Sequence, residues 1–200
     1  WTYGEDEFFA GLKGCYATLK QDVKDRYGIT LKKLKAIGIS GMMHGYLAFD
    51  KNGNQLAQFR TWRNTITAKS AEELTALFDF NIPQRWTASH IYEAIIDNEA
   101  HVSEIAYVTT LVGYVHYMLT GVNAVCIGEA SGIFPIDSNT LDYDERMVEI
   151  FDELTAKEGC QEIFHYQEQP EWQETLISFT DEAVTEKVYI INDGDHETML

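Results

Sequence analysis

Apolar and polar residues follow one another along much of the chain with the period of an α-helix. Over residues 5–27 apolar side chains recur every three to four positions, with lysine and aspartate between them, and this spacing predicts an amphipathic helix. Gly28 follows as a candidate C-terminal stop. Similar spacing predicts further helices at 67–79, 88–97 and 102–119. The last of these is mostly apolar, so we expect it to be buried.

Apolar faces and caps extend this prediction. The apolar stripe of the helix at 67–79 is formed by Leu74, Leu77 and Phe78. Gly121 is the C-cap candidate of the helix predicted at 102–119. A final helix is predicted after Asp142 or Asp144, either of which could cap its N-terminus. One face of that helix carries Met147, Ile150, Phe151 and Leu154.

Other stretches have the character of β-strands. The segment Leu34–Ser40 is short and apolar, which suits a buried strand. Residues 45–50 and 55–61 flank Asn52 and Gly53, and an Asn-Gly pair between two strand-like runs predicts a hairpin because the turn needs positive φ. Weaker strand signals lie within the loop-like stretch 128–137, at Val184 and at 188–191. The order of these elements predicts an α/β domain with a mixed sheet.

Charge is distributed unevenly along the chain. Residues 1–140 hold 15 acidic and 12 basic side chains, whereas residues 141–200 hold 17 acidic and 3 basic ones, for a net charge of −17 at pH 7. Proteins that bind polyanions cluster Lys and Arg, so this balance argues against a generic nucleic-acid binder and against a protein held on an anionic membrane. We therefore expect neither nucleic acid nor membrane as a partner.

The cysteines and histidines form no metal-binding pattern. Cys15, Cys126 and Cys160 make no CxxC pair, which predicts no structural zinc site and favours a reducing, cytoplasmic location. The 24 residues from Ile105 to Gly128 lack charged side chains, but their Thr, His, Asn and Gly residues favour a buried helix over a membrane span. The chain begins at Trp1 without a signal-peptide pattern, and we interpret it as a fragment or a processed product.

The most unusual local sequence is SGMMHG, residues 40–45, directly after a predicted buried strand. In open α/β sheets, ligands bind at the carboxyl ends of strands. Two glycines allow the backbone to approach a ligand closely, and His44 offers a directional hydrogen bond. On spacing alone, a tight turn in which His44 only packs remains an open alternative.

A second candidate is RTWRNT, residues 60–65, at the end of the hairpin. Trp62 offers an apolar face for the C–H surface of a sugar, and Arg63 and Asn64 offer donors for hydroxyl groups. The alternative is a surface strand end at which Trp62 covers the core. P-loop and Rossmann glycine patterns are lacking, as is the last glycine of a nucleophile elbow. The residues alone therefore give a pocket hypothesis and no catalytic set.

Several short motifs, in the same order, resemble the FGGY family of carbohydrate kinases, xylulokinase-like members in particular. Residues 37–67 are similar to the family's strand, Ser-Gly-x-Met-His-Gly turn, hairpin and Trp-Asn-Asp-Thr-Arg-Thr segment. Residues 113–121 resemble its tyrosine-rich helix, and 129–132 its Asp-Ala-Ser-Gly element. The resemblance covers about 1–155, interpreted as part of the N-terminal kinase domain, and leaves 156–200 as an acidic tail of unassigned structure.

This resemblance implies an actin-like, ribonuclease-H-like ATPase domain, incomplete here, with a mixed sheet and flanking helices. It also implies an enzyme that transfers the γ-phosphoryl group of ATP to a hydroxyl of a pentulose or related sugar, with Mg²⁺ and an aspartate that takes the hydroxyl proton. In this sequence, Met43, His44, Trp62 and Asn64 would contact the sugar.

The chain departs from the family's pattern at three positions. Arg63 stands where the family usually has Asn or Gln, Asn64 replaces its Asp, and Ile66 replaces its Arg, which leaves the identity of the sugar open. The family's phosphate motif, catalytic aspartate and adenosine-binding loops have no counterpart in this sequence. We therefore expect no catalytic residue, metal ligand or bound ATP in this chain, and no activity of the chain alone. Two hypotheses remain: part of a sugar kinase, or a non-catalytic sugar-binding or interaction module derived from the kinase fold.

Overall fold

Small sheets and six helices make up the described structure. The computed structural model describes residues 2–3 and 5–157, together with the strands at 183–184, 189–192 and 197–199. The helices are α1 (Glu5–Tyr27), α2 (Ala68–Phe78), α3 (Thr87–Ile96), α4 (Leu111–Thr120), α5 (Ile127–Ala130) and α6 (Glu145–Lys157). The strands are β1 (Thr2–Tyr3), β2 (Lys33–Leu34), β3 (Gly38–Ser40), β4 (Gly45–Phe49), β5 (Phe59–Thr61), β6 (Tyr107–Thr109), β7 (Ile136–Asp137), β8 (Asp142–Tyr143), β9 (Ala183–Val184), β10 (Tyr189–Asn192) and β11 (Glu197–Met199).

Strand β4 lies inside the main sheet, whose order is β1–β5–β4–β6. All pairs in this sheet are antiparallel; Gly45 lies opposite Thr61, and Ala48 opposite Val108. A second sheet pairs β10 with β3 in parallel and with β11 in antiparallel orientation. The predicted α/β arrangement with a mixed sheet is therefore confirmed.

The two faces of β4 pack against different helices, because side chains alternate along a strand. One face carries Leu47 and Phe49, which pack with α1 and α4 through a cluster that includes Phe59, Leu111, Tyr114, Val115, Phe8, Phe9 and Leu12. The other face carries Tyr46 and Ala48, which pack with α2, α3 and α6 through a cluster that includes Leu74, Phe78, Ile91, Phe134, Met147 and Phe151. All five residues of β4 are buried, so this strand fixes the core on both sides.

Local sequence signals set most helix ends correctly. α1 has the predicted bounds and ends at Gly28, which has a left-handed φ of 69°. Gly121 ends α4 in the same conformation, with φ of 76°. Asp144 rather than Asp142 caps α6, since its Oδ1 accepts a hydrogen bond of 2.9 Å from the backbone N–H of Met147.

The hairpin predicted around Asn52 and Gly53 is confirmed. Gly53 has φ of 82°, and its N–H donates to the carbonyl oxygen of Asp50 at 3.0 Å. The Asp50 side chain closes the turn by accepting hydrogen bonds of 2.8 Å from the N–H groups of Asn52 and Asn54. These bonds lower the pKa of the Asp50 carboxyl, the Asn54 side-chain bond having the largest effect.

The single helix predicted at 102–119 is wrong in its first half. A short 3-10 helix at Val102–Glu104 is followed by β6, and α4 begins only at Leu111. Strand β6 consists of aromatic and β-branched residues and pairs with β4, so pairing with a distant strand overrides the local helical spacing. Thr110 begins the true helix, because its hydroxyl oxygen accepts a hydrogen bond of 2.9 Å from the N–H of Gly113.

Three smaller predictions also need correction. Leu77 is 46% exposed, so the buried stripe of α2 contains Leu74 and Phe78 without it. The buried strand predicted at 34–40 is two short strands, β2 and β3, whose residues are partly exposed, because in the described part of the chain each lies at the edge of its sheet. The stretch 128–137 contains most of the unpredicted short helix α5, followed by the predicted short strand, β7.

Predictions for the tail fall largely outside the described residues. Cys160 lies there, as does most of 156–200; Val184 lies in β9, and the strand predicted at 188–191 corresponds to β10 at 189–192. Cys126 is an exposed free thiol. Among the residues that the structure describes, no helix is both long and apolar enough to cross a membrane.

Candidate functional site

The turn Met43–Gly45 leads directly into β4 and is fixed by two neighbouring elements. Gly45 has φ of 120°, and a Cβ atom there would overlap the carbonyl oxygen of Arg60 on β5. Only glycine meets both requirements without strain. The carbonyl oxygen of Gly45 accepts a hydrogen bond of 2.7 Å from the hydroxyl of Thr87, the first residue of α3. Strand β5 and helix α3 therefore position this turn.

Gly132 packs against the other side of the turn. A Cβ atom at this position would overlap the carbonyl oxygen of Met43 and lie 2.8 Å from Nδ1 of His44. The same segment is bound to the start of α3, since the N–H of Ala88 donates to the carbonyl oxygen of Ile133 at 3.0 Å. The absence of a side chain at Gly132 therefore allows its backbone to pack directly against the turn.

His44 is half-buried between the turn and α3. Its ring stacks with that of Trp86, at 6.4 Å between centroids and an angle of 17°. Nδ1 is buried and has no hydrogen bond of good geometry to a described residue. Burial lowers the pKa of His44, the positive charge of Arg85 lowers it further, and the backbone of Gly132 opposes both effects. At pH 7 the ring is therefore neutral, with one donor and one acceptor nitrogen.

The segment Trp62–Asn64 forms a turn at the end of β5. The Trp62 side chain is 43% exposed, and the Arg63 guanidinium lies 4.9 Å from the centroid of its ring. The N–H of Asn64 donates to the carbonyl oxygen of Thr61 at 2.9 Å, and Asn64 Oδ1 accepts from the N–H of Ile66 at 3.2 Å. The amide oxygen of Asn64 thus holds the turn.

Strand register brings the two candidate segments to the same end of the sheet. Gly45 pairs with Thr61, so His44 and Trp62 each lie one residue beyond this pair on neighbouring strands. Met43 precedes His44 in the turn, and Asn64 lies two residues beyond Trp62. The register therefore brings the His44 turn and the start of the Trp62–Asn64 turn to one end of the sheet, and the role of Met43, His44, Trp62 and Asn64 as a sugar site stays a prediction.

Trp86 is a residue of this region that the sequence pattern did not identify. It is the N-cap residue of α3, stacks on His44 and lies 6.4 Å, centroid to centroid, from Phe80. It is 42 positions from His44 in the chain, and no local spacing relates the two. The only sequence signal for Trp86 is its position directly before a predicted helix, and this position does not predict that its ring contacts His44.

A second polar group of residues lies on the face of β4 that carries Tyr46. This Arg60 cluster consists of Tyr46, Arg60, His90, Glu99 and His101. Arg60 forms an ion pair with Glu99, and its guanidinium lies 5.0 Å from the centroid of the Tyr46 ring. The Tyr46 hydroxyl lies 2.7 Å from His101 Nε2, and His101 Nδ1 lies 3.6 Å from Glu99 Oε2. A proton on Nδ1 of His101 suits both contacts, because Tyr46 then donates to Nε2.

His90 is the fully buried member of the Arg60 cluster. Its ring stacks on Tyr46 at 6.1 Å, and neither ring nitrogen has a hydrogen-bond partner among the described residues. Burial lowers the pKa of His90 to about 3, with a further contribution from Arg60. In the unfolded chain His90 binds a proton as the pH falls through about 6.5, whereas in the folded chain it does so only near pH 3. The free energy of unfolding should therefore fall between these two values as the solution is acidified.

We expect His90→Leu to flatten this acid dependence. Each proton bound only by the unfolded chain changes the slope by about 1.4 kcal/mol per pH unit, and the variant lacks this proton. The measurement is urea unfolding between pH 4 and pH 7. His116→Leu, on α4 and outside the Arg60 cluster, is the matched control. An unchanged slope for His90→Leu would show that His90 does not stay neutral in the folded protein.

The described residues do not fit a metal site. No group of three or more His, Cys, Asp or Glu side chains in residues 2–3, 5–157 or the later described strands is arranged to hold a metal ion. Glu129 is the partly buried carboxyl nearest Gly132 in sequence; burial raises its pKa, and a hydrogen bond from Thr110 opposes this rise.

Comparison with known proteins identifies the family. The model of the FGGY family of carbohydrate kinases, N-terminal domain, matches residues 5–157. The chain belongs to the FGGY family of carbohydrate kinases. A search of curated proteins found no match.

Solved FGGY kinases share the fold of this chain. The xylulose (xyloylose) kinase from Brucella ovis matches with a TM-score of 0.59 and 19% identity, over 76% of this chain and 32% of that one. The xylulose kinase from Rhodospirillum rubrum matches with a TM-score of 0.53 and 20% identity, over 58% of this chain and 26% of that one. The gluconate kinase from Lactobacillus acidophilus matches with a TM-score of 0.52 and 16% identity, over 73% of this chain and 30% of that one. The chain therefore has part of the FGGY actin-like ATPase fold, and spans about a third or less of the length of these kinases.

Proposed function

We propose that this chain supplies part of the sugar pocket of an FGGY kinase, which as a complete enzyme transfers a phosphoryl group to a hydroxyl of a pentulose or related sugar. The observation that carries the proposal is the position of His44, stacked on Trp86 at the end of the sheet where Trp62 lies. Sugar pockets combine apolar ring faces with a few directional polar groups. These residues offer both kinds of group within one region.

In this proposal each residue of the chain binds or orients the sugar. The neutral His44 ring donates to or accepts from a hydroxyl, and the exposed face of Trp62 covers C–H surface. Met43 lines the turn, and the amide nitrogen of Asn64 donates to a hydroxyl at the margin. ATP with Mg²⁺ would supply the phosphoryl group, in the cytoplasm. The nucleotide-binding residues and the proton acceptor would come from other parts of the complete enzyme.

His44→Ala should weaken sugar binding by the full-length protein about tenfold, because it removes one hydrogen bond to a hydroxyl and the ring that packs on Trp86. The measurement is the dissociation constant for D-xylulose and related sugars, followed by tryptophan fluorescence or calorimetry. His116→Ala is the matched control, because His116 is a partly exposed histidine of α4 that is not among the proposed pocket residues.

Two results separate the possible outcomes. Unchanged sugar affinity in a folded His44→Ala variant would show that the pocket is assigned wrongly. Sugar binding without ATP-dependent phosphorylation by the full-length protein would favour the non-catalytic sugar-binding module over the kinase.

A further inference from the structure

A basic region near the start of the chain contrasts with the net charge of −17. Residues 13–35 hold seven of the 15 Lys and Arg residues and only two acidic ones. Both of these carboxylates are engaged on α1: Asp22 pairs with Arg26 at 2.8 Å, and Asp25 accepts a hydrogen bond of 2.7 Å from Gln21. The positive charge of this region therefore exceeds what its own carboxylates offset.

Two lysines of this region line a groove beside α1. Lys20 and Lys24 are one helical turn apart and exposed, and among the described residues neither forms an ion pair; Lys20 Nζ lies 5.6 Å from the centroid of the Tyr16 ring. The groove, here called the basic groove, has a volume of about 370 Å³ and is lined by Ala17, Lys20, Gln21, Lys24, Thr30 and Leu31. Two ammonium groups along one side give it a positive potential, which favours an acidic occupant.

Apolar side chains adjoin the basic groove in the chain. Tyr27 is 68% exposed and Ile29 is 54% exposed, and Ile29 directly precedes Thr30 of the groove. Burying apolar surface of this kind stabilises a complex in proportion to the area removed from water. An occupant that carries both acidic and apolar side chains therefore suits this surface better than a simple anion does.

Strand β9 connects one segment of the same chain to this surface. It pairs in parallel with β2, and Ala183 lies opposite Lys33, two residues after Leu31 of the groove. Residues 158–182, which end where β9 begins, contain seven acidic residues, four aromatic ones and no Lys or Arg. This segment matches the basic groove in charge and in apolar character, and its last residue is joined to a strand that pairs with β2.

The length of this segment is sufficient for the contact. Residues 158–182 connect α6, which ends at Lys157, to β9. An extended chain of that length can span about 80 Å. The part of α1 that lines the groove, from Ala17 to Lys24, is only about 10 Å long.

We propose that the basic groove binds the acidic segment 158–182 of the same chain, with Lys20 and Lys24 as its charged contacts. Exposed ion pairs are individually weak. Covalent connection to α6 and β9 gives the segment a high effective concentration at the groove, so a few such pairs are enough. This proposal is independent of the proposed function, because it uses no residue of the sugar pocket.

Carbodiimide cross-linking of the full-length protein tests the contact directly, because the reagent joins a lysine to a carboxylate only when the two groups meet. We expect peptides in which Lys20 or Lys24 is linked to an acidic residue of 158–182. Their yield should fall several-fold in about 0.5 M salt, where charges are screened beyond about 4 Å. The exposed pair Lys69–Glu73, at 4.0 Å, is the internal control for the reagent.

A mixture of isotopically labelled and unlabelled protein shows which copy supplies the segment. Cross-links within one copy support the proposal. Cross-links between copies would overturn it, because the occupant would then be the segment of a second copy. A Lys69–Glu73 link without any link from Lys20 or Lys24 to 158–182 would overturn it as well.

Reversal of the two lysine charges should expose the segment to protease. We expect chymotrypsin, which cuts after aromatic residues, to cleave 158–182 about fivefold faster when Lys20→Glu and Lys24→Glu are combined, because two attractive contacts become repulsive. Lys51→Glu combined with Lys69→Glu changes the net charge equally, outside residues 13–35, and is the matched control. Equal cleavage rates for the two double variants would contradict the proposal.

An exchange of charges separates a direct contact from an indirect effect of the α1 substitutions. The two acidic residues that cross-link most to Lys20 and Lys24 are changed to lysine in the protein that carries Lys20→Glu and Lys24→Glu. This exchange should restore most of the resistance to chymotrypsin, because opposite charges again face each other. Cleavage that stays fast after the exchange would overturn the proposal.

Discussion

Gly45→Ala is expected to destabilise the protein by more than about 3 kcal/mol and to abolish sugar binding. A backbone with φ of 120° costs an alanine about 1–3 kcal/mol, and the new Cβ would also overlap the carbonyl oxygen of Arg60. That oxygen belongs to the backbone of the paired strand, so it cannot move away without breaking the Gly45–Thr61 pair. Urea unfolding gives the free energy change, and calorimetry gives the sugar affinity.

Gly53→Ala is the matched control for this substitution. Gly53 also has a positive φ, 82°, but a Cβ atom there meets nothing within 4 Å. The Gly53→Ala substitution should therefore lower the free energy of unfolding by about 1 kcal/mol, from backbone strain alone, and leave sugar binding intact. Equal losses for the two variants would contradict the steric argument, and a stable Gly45→Ala protein that binds sugar would show that the turn does not need its observed conformation.

Local signals in the sequence were sufficient for the parts of the fold that local physics determines. Gly28, Gly53 and Gly121 have the left-handed backbone expected of a cap or a turn, and Asp144 caps its helix through its own side chain. Each of these features depends on a few consecutive residues. The same holds for the amphipathic helix α1, whose bounds the spacing predicts.

Contacts between distant segments could not be predicted in this way. Tyr107–Thr109 lies within an apolar run that suits a helix, and it becomes a strand because β4 offers it a partner about 60 residues earlier in the chain. The pairing of Trp86 with His44 likewise depends on how α3 docks on the sheet. The candidate site is therefore predictable as two motifs, but the aromatic partner and the charges beside it require the fold.

The Arg60 cluster connects the strand that leads to Trp62 with the segment after α3. Arg60 is 12% exposed and Glu99 25%, so the ion pair is largely shielded from water, and Nη1 of Arg60 is buried without a partner among the described residues. Burial raises the pKa of Tyr46, which keeps its hydroxyl protonated beside His101. In such a setting the guanidinium depends on Glu99 for compensation of its charge.

Glu99→Gln should therefore destabilise the protein by about 3 kcal/mol, because it leaves the Arg60 guanidinium desolvated without its carboxylate. Arg60→Met should cost less, since the methionine fills similar space and Glu99, which is more exposed, retains His101 as a neighbour. The double variant should be more stable than Glu99→Gln alone, as expected where an uncompensated charge is the main cost. Urea unfolding of the three variants gives the required free energies.

The exposed pair Asp22–Arg26 on α1 provides the comparison. These side chains are 47% and 68% exposed at 2.8 Å separation, so Asp22→Asn should change the free energy of unfolding by at most about 0.5 kcal/mol. A similarly small effect of Glu99→Gln would mean that water reaches Arg60 and that the cluster is not a shielded network. A larger loss for Arg60→Met than for Glu99→Gln would instead assign the cost to the guanidinium's packing on Tyr46, since the charge left behind would then matter less than the ring contact that was removed.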